Sequence, residues 1–141
     1  KQIIQSEFSY RMSPYKGRSD LILYEVHLAL NPISDTHTLK TIALGYKQRR
    51  IEQQQFRYPS LGSIFKNPPG HKAGALLEGL GLKGTRVGGA QIALHHANMI
   101  INVDGSATST DIRTLIDMAK EKVFQKYGIT LEEEITFVGR W

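Results

Sequence analysis

The stretch Gly62-Ser63-Ile64-Phe65-Lys66-Asn67-Pro68-Pro69-Gly70 constrains this chain more than any other. Gly62 frees the backbone ahead of Ser63, and Pro68, Pro69 and Gly70 end any helix or central strand that reaches them. A loop fixed in this way can hold a serine hydroxyl and an asparagine amide toward a cavity. It also reads as a β-turn with solvated polar side chains, the commoner use of Gly, Pro and Asn clusters.

The 141 residues, 40% hydrophobic and 22% charged, suit one soluble globular domain with a real core. No apolar run reaches the ~18 residues of a membrane span. The absence of cysteine excludes disulfides and thiolate catalysis. His95 and His96 are adjacent and would point to opposite faces of a strand, so no metal site is expected. The net charge of +5 suits an anionic partner, either nucleic acid or a phosphorylated small molecule. Much of it gathers at Lys47, Arg49, Arg50, Arg57 and Lys66, although a solvated basic face is the commoner meaning of such a cluster. The chain starts at Lys1 and not at Met, which is expected of a fragment or a processed product.

Residues 3–10 read as a strand closed by the turn at Pro14, with Arg11 either a surface cation or an anion clamp. Residues 20–30 alternate cleanly, with Ile22, Tyr24, Val26, Leu28 and Leu30 on one strand face. Ser34 or Asp35 can cap a helix to about Gln53, with Leu39, Ile42, Ala43 and Tyr46 as its buried stripe. A short helix is expected at roughly 72–79, ended by Gly79 and Gly81. Gly84 to Gly89 reads as a flexible entry to Ala90–Val103, whose Met99–Val103 run is a buried strand. His96 and Asn98 would then share a strand face, as a pocket wall or a wet edge. Thr108, Ser109 or Thr110 caps a helix over 109–127 with Gly128 at its end. Ile129–Val138 reads as a last strand, its three successive glutamates an exposed acidic edge. The irregular alternation of helices and strands gives an α+β class. No G-x-G-x-x-G or Walker loop is present.

Several ordered motifs resemble the C-terminal half of the UDP-N-acetylenolpyruvoylglucosamine reductase family. They are G-S-x-F-K-N-P at Gly62–Pro68, Y-R-x-S at Tyr10–Ser13, and Gly-Leu-Lys-Gly at Gly81–Gly84. H-A-N-x-I-I-N follows at His96–Asn102, then L-E-x-E-[VI] at Leu131–Ile135 with Gly139 behind it. The resemblance implies an oxidoreductase that reduces UDP-N-acetylglucosamine enolpyruvate to UDP-N-acetylmuramate for peptidoglycan, using NADPH through FAD. It implies a cytoplasmic enzyme that engages neither nucleic acid nor membrane. It gives Ser63 the role of the general acid, and Arg11 and Glu134 the stabilisation of the intermediate at the substrate carboxylate. Lys66, Asn67 and His96 become substrate-binding residues. Residues 1–55 resemble the tail of the FAD-binding domain, 56–128 the substrate-binding domain, and 129–141 a strand returning to the N-terminal part.

The chain departs from the family pattern at Gln54-Gln55, where Gln-Pro is usual, at Ala93, where serine is frequent, and at Met99, where phenylalanine is common. No long insertion separates Arg11 from Ser63, as in the subclass without an extra tyrosine-bearing loop. The family's glycine-rich flavin loops are absent, so the partner would be the missing N-terminal flavin-binding region, and the chain alone would be inert. Two rival readings stand beside this one. A non-catalytic anion- or nucleic-acid-binding module would use the basic cluster, although few aromatics flank it for base stacking. A degenerate relative could persist as a structural domain, against which the intact Arg11, Ser63 and Glu134 count.

Overall fold

The computed structural model describes residues 7–139. They fall into two compact units, Lys1–Leu39 and Lys40–Trp141.

In the first unit Ser9 and Met12 close a reverse turn, with Met12 N–H donating to the Ser9 carbonyl at 3.0 Å. Arg11 sits at its corner with φ +57°, in the left-handed region that non-glycine residues seldom occupy. The strand expected over 3–10 lies partly outside the described residues, and its described part forms only this bridge. The strand expected over 20–30 does not form, and residues 21–30 carry no regular structure. Alternation supplies an apolar face, but a strand also needs a hydrogen-bonding neighbour, and none stands beside this segment among the described residues. Its apolar side chains stay in solvent, Ile22 at 93% and Tyr24 at 94% exposure.

Helix α1 spans Thr36–Glu52. Asp35 caps it, its carboxylate accepting from Thr38 N–H at 3.0 Å. The expected buried stripe of Leu39, Ile42, Ala43 and Tyr46 is overturned, because no residue of this helix is buried. Leu44 and Ile51 lie off that stripe and Arg49 and Arg50 crowd the last turn, so the apolar side chains never gather on one face.

The second unit is built on an antiparallel sheet in the order β1-β4-β3-β2. Its strands are β1 (Ser60–Ser63), β2 (Arg86–Val87), β3 (Ala90–Ile92) and β4 (Met99–Asn102). Helix α2 (Ala73–Gly79) and helix α3 (Ser109–Tyr127) complete it. Ile64, Phe65, Leu77, Ile92, Leu115, Ile116, Val123 and Leu131 fill the core between sheet and helices. Such side chains carry about 1.5–3 kcal/mol each on burial, and the short strands persist because of them.

Local chemistry explains the elements that formed. The Thr108 hydroxyl accepts from Asp111 N–H at 3.1 Å while Asp111 accepts from Thr108 N–H at 2.9 Å, a capping box that starts α3. Gly128 ends α3 in the left-handed conformation at φ +67°. Gly84 to Gly89 is no flexible entry. It holds β2 and the two-residue Gly88-Gly89 turn into β3, pressed against the start of α3. Ala90–Val103 is likewise two strands, not one, because residues 93–98 form a turn between β3 and β4. His96 and Asn98 therefore do not share a strand face. The last expected strand shrinks to an isolated antiparallel bridge between Glu133 and Phe65, with main-chain bonds from Glu132 and Glu134 on either side of it.

Candidate functional site

Ser63 ends β1 and is exposed. β1 pairs with β4 through Ser60↔Ile101 and Ser63↔Met99, with the register shifting between them. The shift needs a residue in the left-handed region, which Gly62 provides at φ +76°. Gly62 N–H donates to the Ser60 hydroxyl at 3.0 Å and closes the bulge. A bulge adds local twist and turns the following side chain, so Ser63 owes its outward aim to the glycine before it.

Beyond Ser63 the chain changes partner. Glu134 N–H donates to the Ile64 carbonyl at 2.7 Å, and Lys66 N–H donates to the Glu132 carbonyl at 2.9 Å. Glu134, half-buried, thus lies in the C-terminal segment that runs alongside residues 64–66, just beyond Ser63. On the opposite edge Asn98 supplies the partners. Its Oδ1 accepts from Phe65 N–H at 3.0 Å, and its Nδ2 donates to the Phe65 carbonyl at 2.8 Å. Its own carbonyl accepts from Ile64 N–H at 2.9 Å.

The expected acidic edge is a set of ties. Lys66 pairs with Glu132, and Lys120 Nζ reaches Glu133 at 2.7 Å. Burial pushes the Glu133 carboxyl up. The hydrogen bond from Lys120, a backbone hydrogen bond at Glu133 itself and the charges of Lys120 and Arg113 outweigh it, so the group sits below the usual range.

Asn67 is exposed, and its Oδ1 accepts from Ala73 N–H at 3.0 Å. It caps α2, whose N-cap residue Lys72 makes no side-chain cap. His96 is exposed in the β3–β4 turn, and its Nδ1 accepts from Asn98 N–H at 3.1 Å. That bond leaves the proton of the neutral ring on Nε2, where it can serve as a donor. Gly74 in α2 allows this packing, since a Cβ there would stand 3.2 Å from His96 Cε1. Arg11, in the first unit, stacks its guanidinium 5.3 Å from the Tyr10 ring centre.

The fold thus runs the segment bearing Glu134 alongside the residues that follow Ser63, ties Lys66 to Glu132 on that segment, and brings Asn67 and His96 to the adjacent residues Ala73 and Gly74 at the start of α2. Sequence reasoning missed an open cleft of about 490 Å³ next to β1, lined by Arg50, Phe56, Arg57, Tyr58, Ser60 and Met99 among others. Arg50 lies 4.9 Å from the Phe56 ring centre and Arg57 lies 5.3 Å from that of Tyr58. Aromatics do flank the basic cluster, and the Arg50…Phe56-Arg57-Tyr58 spacing carried that signal. Asn98 was legible as a polar residue before an apolar run, but its partners stand 33 residues away.

A family profile described as UDP-N-acetylenolpyruvoylglucosamine reductase, C-terminal domain, matches residues 54–138. The UDP-N-acetylenolpyruvoylglucosamine reductase of Synechococcus sp. (strain CC9311) is 43% identical over 132 residues, covering 94% of this chain and 42% of that protein. The reductase of Caldicellulosiruptor saccharolyticus is 45% identical over 136 residues, covering 95% of this chain and 43% of that protein. The crystal structure of the UDP-N-acetylenolpyruvylglucosamine reductase of Thermus caldophilus aligns over 66% of this chain and 34% of its own, with 35% identity and a TM-score of 0.46. The chain therefore spans about two fifths of the length of these curated relatives. With a C-terminal-domain profile over most of its residues and relatives that match it almost end to end, the chain belongs to the UDP-N-acetylenolpyruvoylglucosamine reductase family.

Proposed function

We propose that this chain is the C-terminal, substrate-binding half of a flavoenzyme that reduces UDP-N-acetylglucosamine enolpyruvate to UDP-N-acetylmuramate for peptidoglycan. The observation that carries the reading is that exposed Ser63 ends β1 just before Ile64, whose carbonyl accepts from Glu134 N–H, so the segments bearing Ser63 and Glu134 run side by side in a chain of this family. Residues 1–55 would be the tail of the flavin-binding domain, 56–128 the substrate-binding domain, and 129–141 the segment that returns toward the N-terminal part. That flavin-binding region is the partner the chain needs, and alone it is expected to be inert.

The residues present fit a cofactor that approaches from outside this half. Ser63 is exposed, and nothing lies within 4 Å of the place a Cβ on Gly62 would take, so the surface there is open and does not enclose a ring system. When bound, FAD supplies the substrate with the hydride that NADPH provides.

Hydride addition to one carbon of the enolpyruvyl double bond moves the π electrons to the neighbouring carbon and its carboxylate. The Arg11 guanidinium stabilises that growing charge more than the ground state. Ser63 Oγ–H donates its proton to the carbanionic carbon, and the oxygen recovers one from solvent. A hydroxyl held in contact can do this despite its high pKa. Glu134 joins Arg11 in stabilising the intermediate at the substrate carboxylate. Lys66, Asn67 and His96 hold the sugar nucleotide, and the Arg50 and Arg57 cleft offers cations and aromatic faces to its phosphates and ring.

That cleft also favours the rival, a non-catalytic anion- or nucleic-acid-binding module. Thermal unfolding separates the two. UDP-N-acetylglucosamine enolpyruvate is expected to raise Tm in proportion to ln(1 + [L]/Kd), and an oligonucleotide is expected to leave it unchanged. Protection by oligonucleotide with a steep salt dependence, and none by the sugar nucleotide, would reject the reductase reading.

A further inference from the structure

We infer that Asn98 is the positioning residue for the acid at Ser63, a role that rests on the reductase reading above. Phe65 is two residues beyond Ser63, at the point where the strand leaves β4 and joins the C-terminal segment. In an antiparallel strand, successive residues turn their N–H and C=O groups to opposite edges. The Ile64 carbonyl and Lys66 N–H bond on one edge to Glu134 and Glu132, whereas Ile64 N–H still turns toward Asn98 on the other. The N–H and C=O of Phe65 face the other edge, where β4 has already ended, since it begins only at Met99.

The carboxamide of Asn98 stands where the missing strand residue would be. It accepts from Phe65 N–H at 3.0 Å and donates to Phe65 C=O at 2.8 Å, and the Asn98 carbonyl takes Ile64 N–H at 2.9 Å. Asn98 is 5% exposed and is the one polar residue among the buried described residues. Buried away from water, this two-point bond has no ready substitute, and losing it would leave Phe65 N–H and C=O unpaired. Ile64 and Phe65 are themselves buried, so the backbone on the far side of Ser63 is held by packing as well as by Asn98. Gly62 fixes the near side. Ser63 is therefore suspended between a bulge and a carboxamide, and the direction of its Oγ depends on both.

The choice of residue is specific. An aspartate of the same shape would keep the acceptor for Phe65 N–H but set a carboxylate against Phe65 C=O. An alanine would lose both side-chain bonds and keep the one from the Asn98 carbonyl. Neither change removes a group proposed to touch substrate.

The test compares wild type, Asn98→Ala and Asn98→Asp in the flavin-loaded protein that carries this chain. In Asn98→Ala the Phe65 amide should exchange with solvent faster while the α3 amides keep their protection. Reduction of the flavin by NADPH should be unchanged. Reoxidation by the enolpyruvyl substrate should slow by about 10²-fold with KM little altered, the size expected of a misplaced reacting group. A larger solvent deuterium isotope effect on that step should accompany it, a change that mere loss of folded protein would not produce. Asn98→Asp should show the same pattern in milder form, and it decides the matter if Asn98→Ala does not fold. Normal reoxidation alongside faster Phe65 exchange overturns the positioning role, and so does unchanged Phe65 exchange. A wild-type protein that does not turn over the substrate overturns the activity and this role together. The wild-type rates tell that failure apart from a failure of Asn98 alone.

Discussion

The Nε2 atom of His95 is buried without a hydrogen-bond partner among the described residues. Burial, then the charges of His96 and Lys83, hold this imidazole below its usual 6.5. The sign follows from proton uptake. Above pH 6.5 neither folded nor unfolded chain binds the proton; below it the unfolded chain does and the folded ring resists, so stability falls as pH falls through that window. The urea midpoint of wild type should therefore drop between about pH 7.5 and about pH 5.5 by more than that of His95→Leu. Equal drops would mean that the buried ring is not the cause. At this scale the sequence exposed the candidates but not their bonds. Ser63, Asn67 and His96 stood out in their motifs. That Asn67 caps α2, and that Asn98 reaches Phe65, depends on contacts between distant segments that no local pattern encodes.

The β2–β3 hairpin shows what an element demands of its residues. A Cβ on Gly88 would stand 2.6 Å from Asp111 Cγ, and one on Gly89 would meet the Ala107 backbone nitrogen and stand 2.5 Å from Ser106 Oγ. Gly89→Ala must therefore shift main chain, and a loss of about 1–3 kcal/mol by urea unfolding is expected. A loss no larger than that of an exposed surface substitution would mean that the turn sits away from Ser106 and Ala107. Helix α3 was legible end to end because its capping box, its apolar stripe and Gly128 all lie within its own sequence. The segment 20–30 was not, because alternation states a preference for two faces and says nothing of the neighbour a ladder requires. The β3–β4 turn was missed for a related reason. Its residues Ala93 and Ala97 are buried, so the apolar run continued through a change of direction.

On the scale of the whole molecule the chain is about two fifths of its curated relatives, and the large exposed apolar side chains among the described residues lie mostly in residues 21–51. In the proposed reading those residues are the tail of the flavin-binding domain. A soluble surface seldom leaves so much apolar area open, which favours a further region covering it. No helix among the described residues is long and apolar enough to cross a membrane. The central claim is that Ser63 donates the proton that completes reduction of the enolpyruvyl double bond. Stopped-flow measurement of Ser63→Ala in the flavin-loaded protein tests it most directly. The account predicts normal flavin reduction by NADPH, and reoxidation by substrate slowed by at least the ~10²-fold typical of lost general acid catalysis. Normal rates in both half-reactions would contradict it.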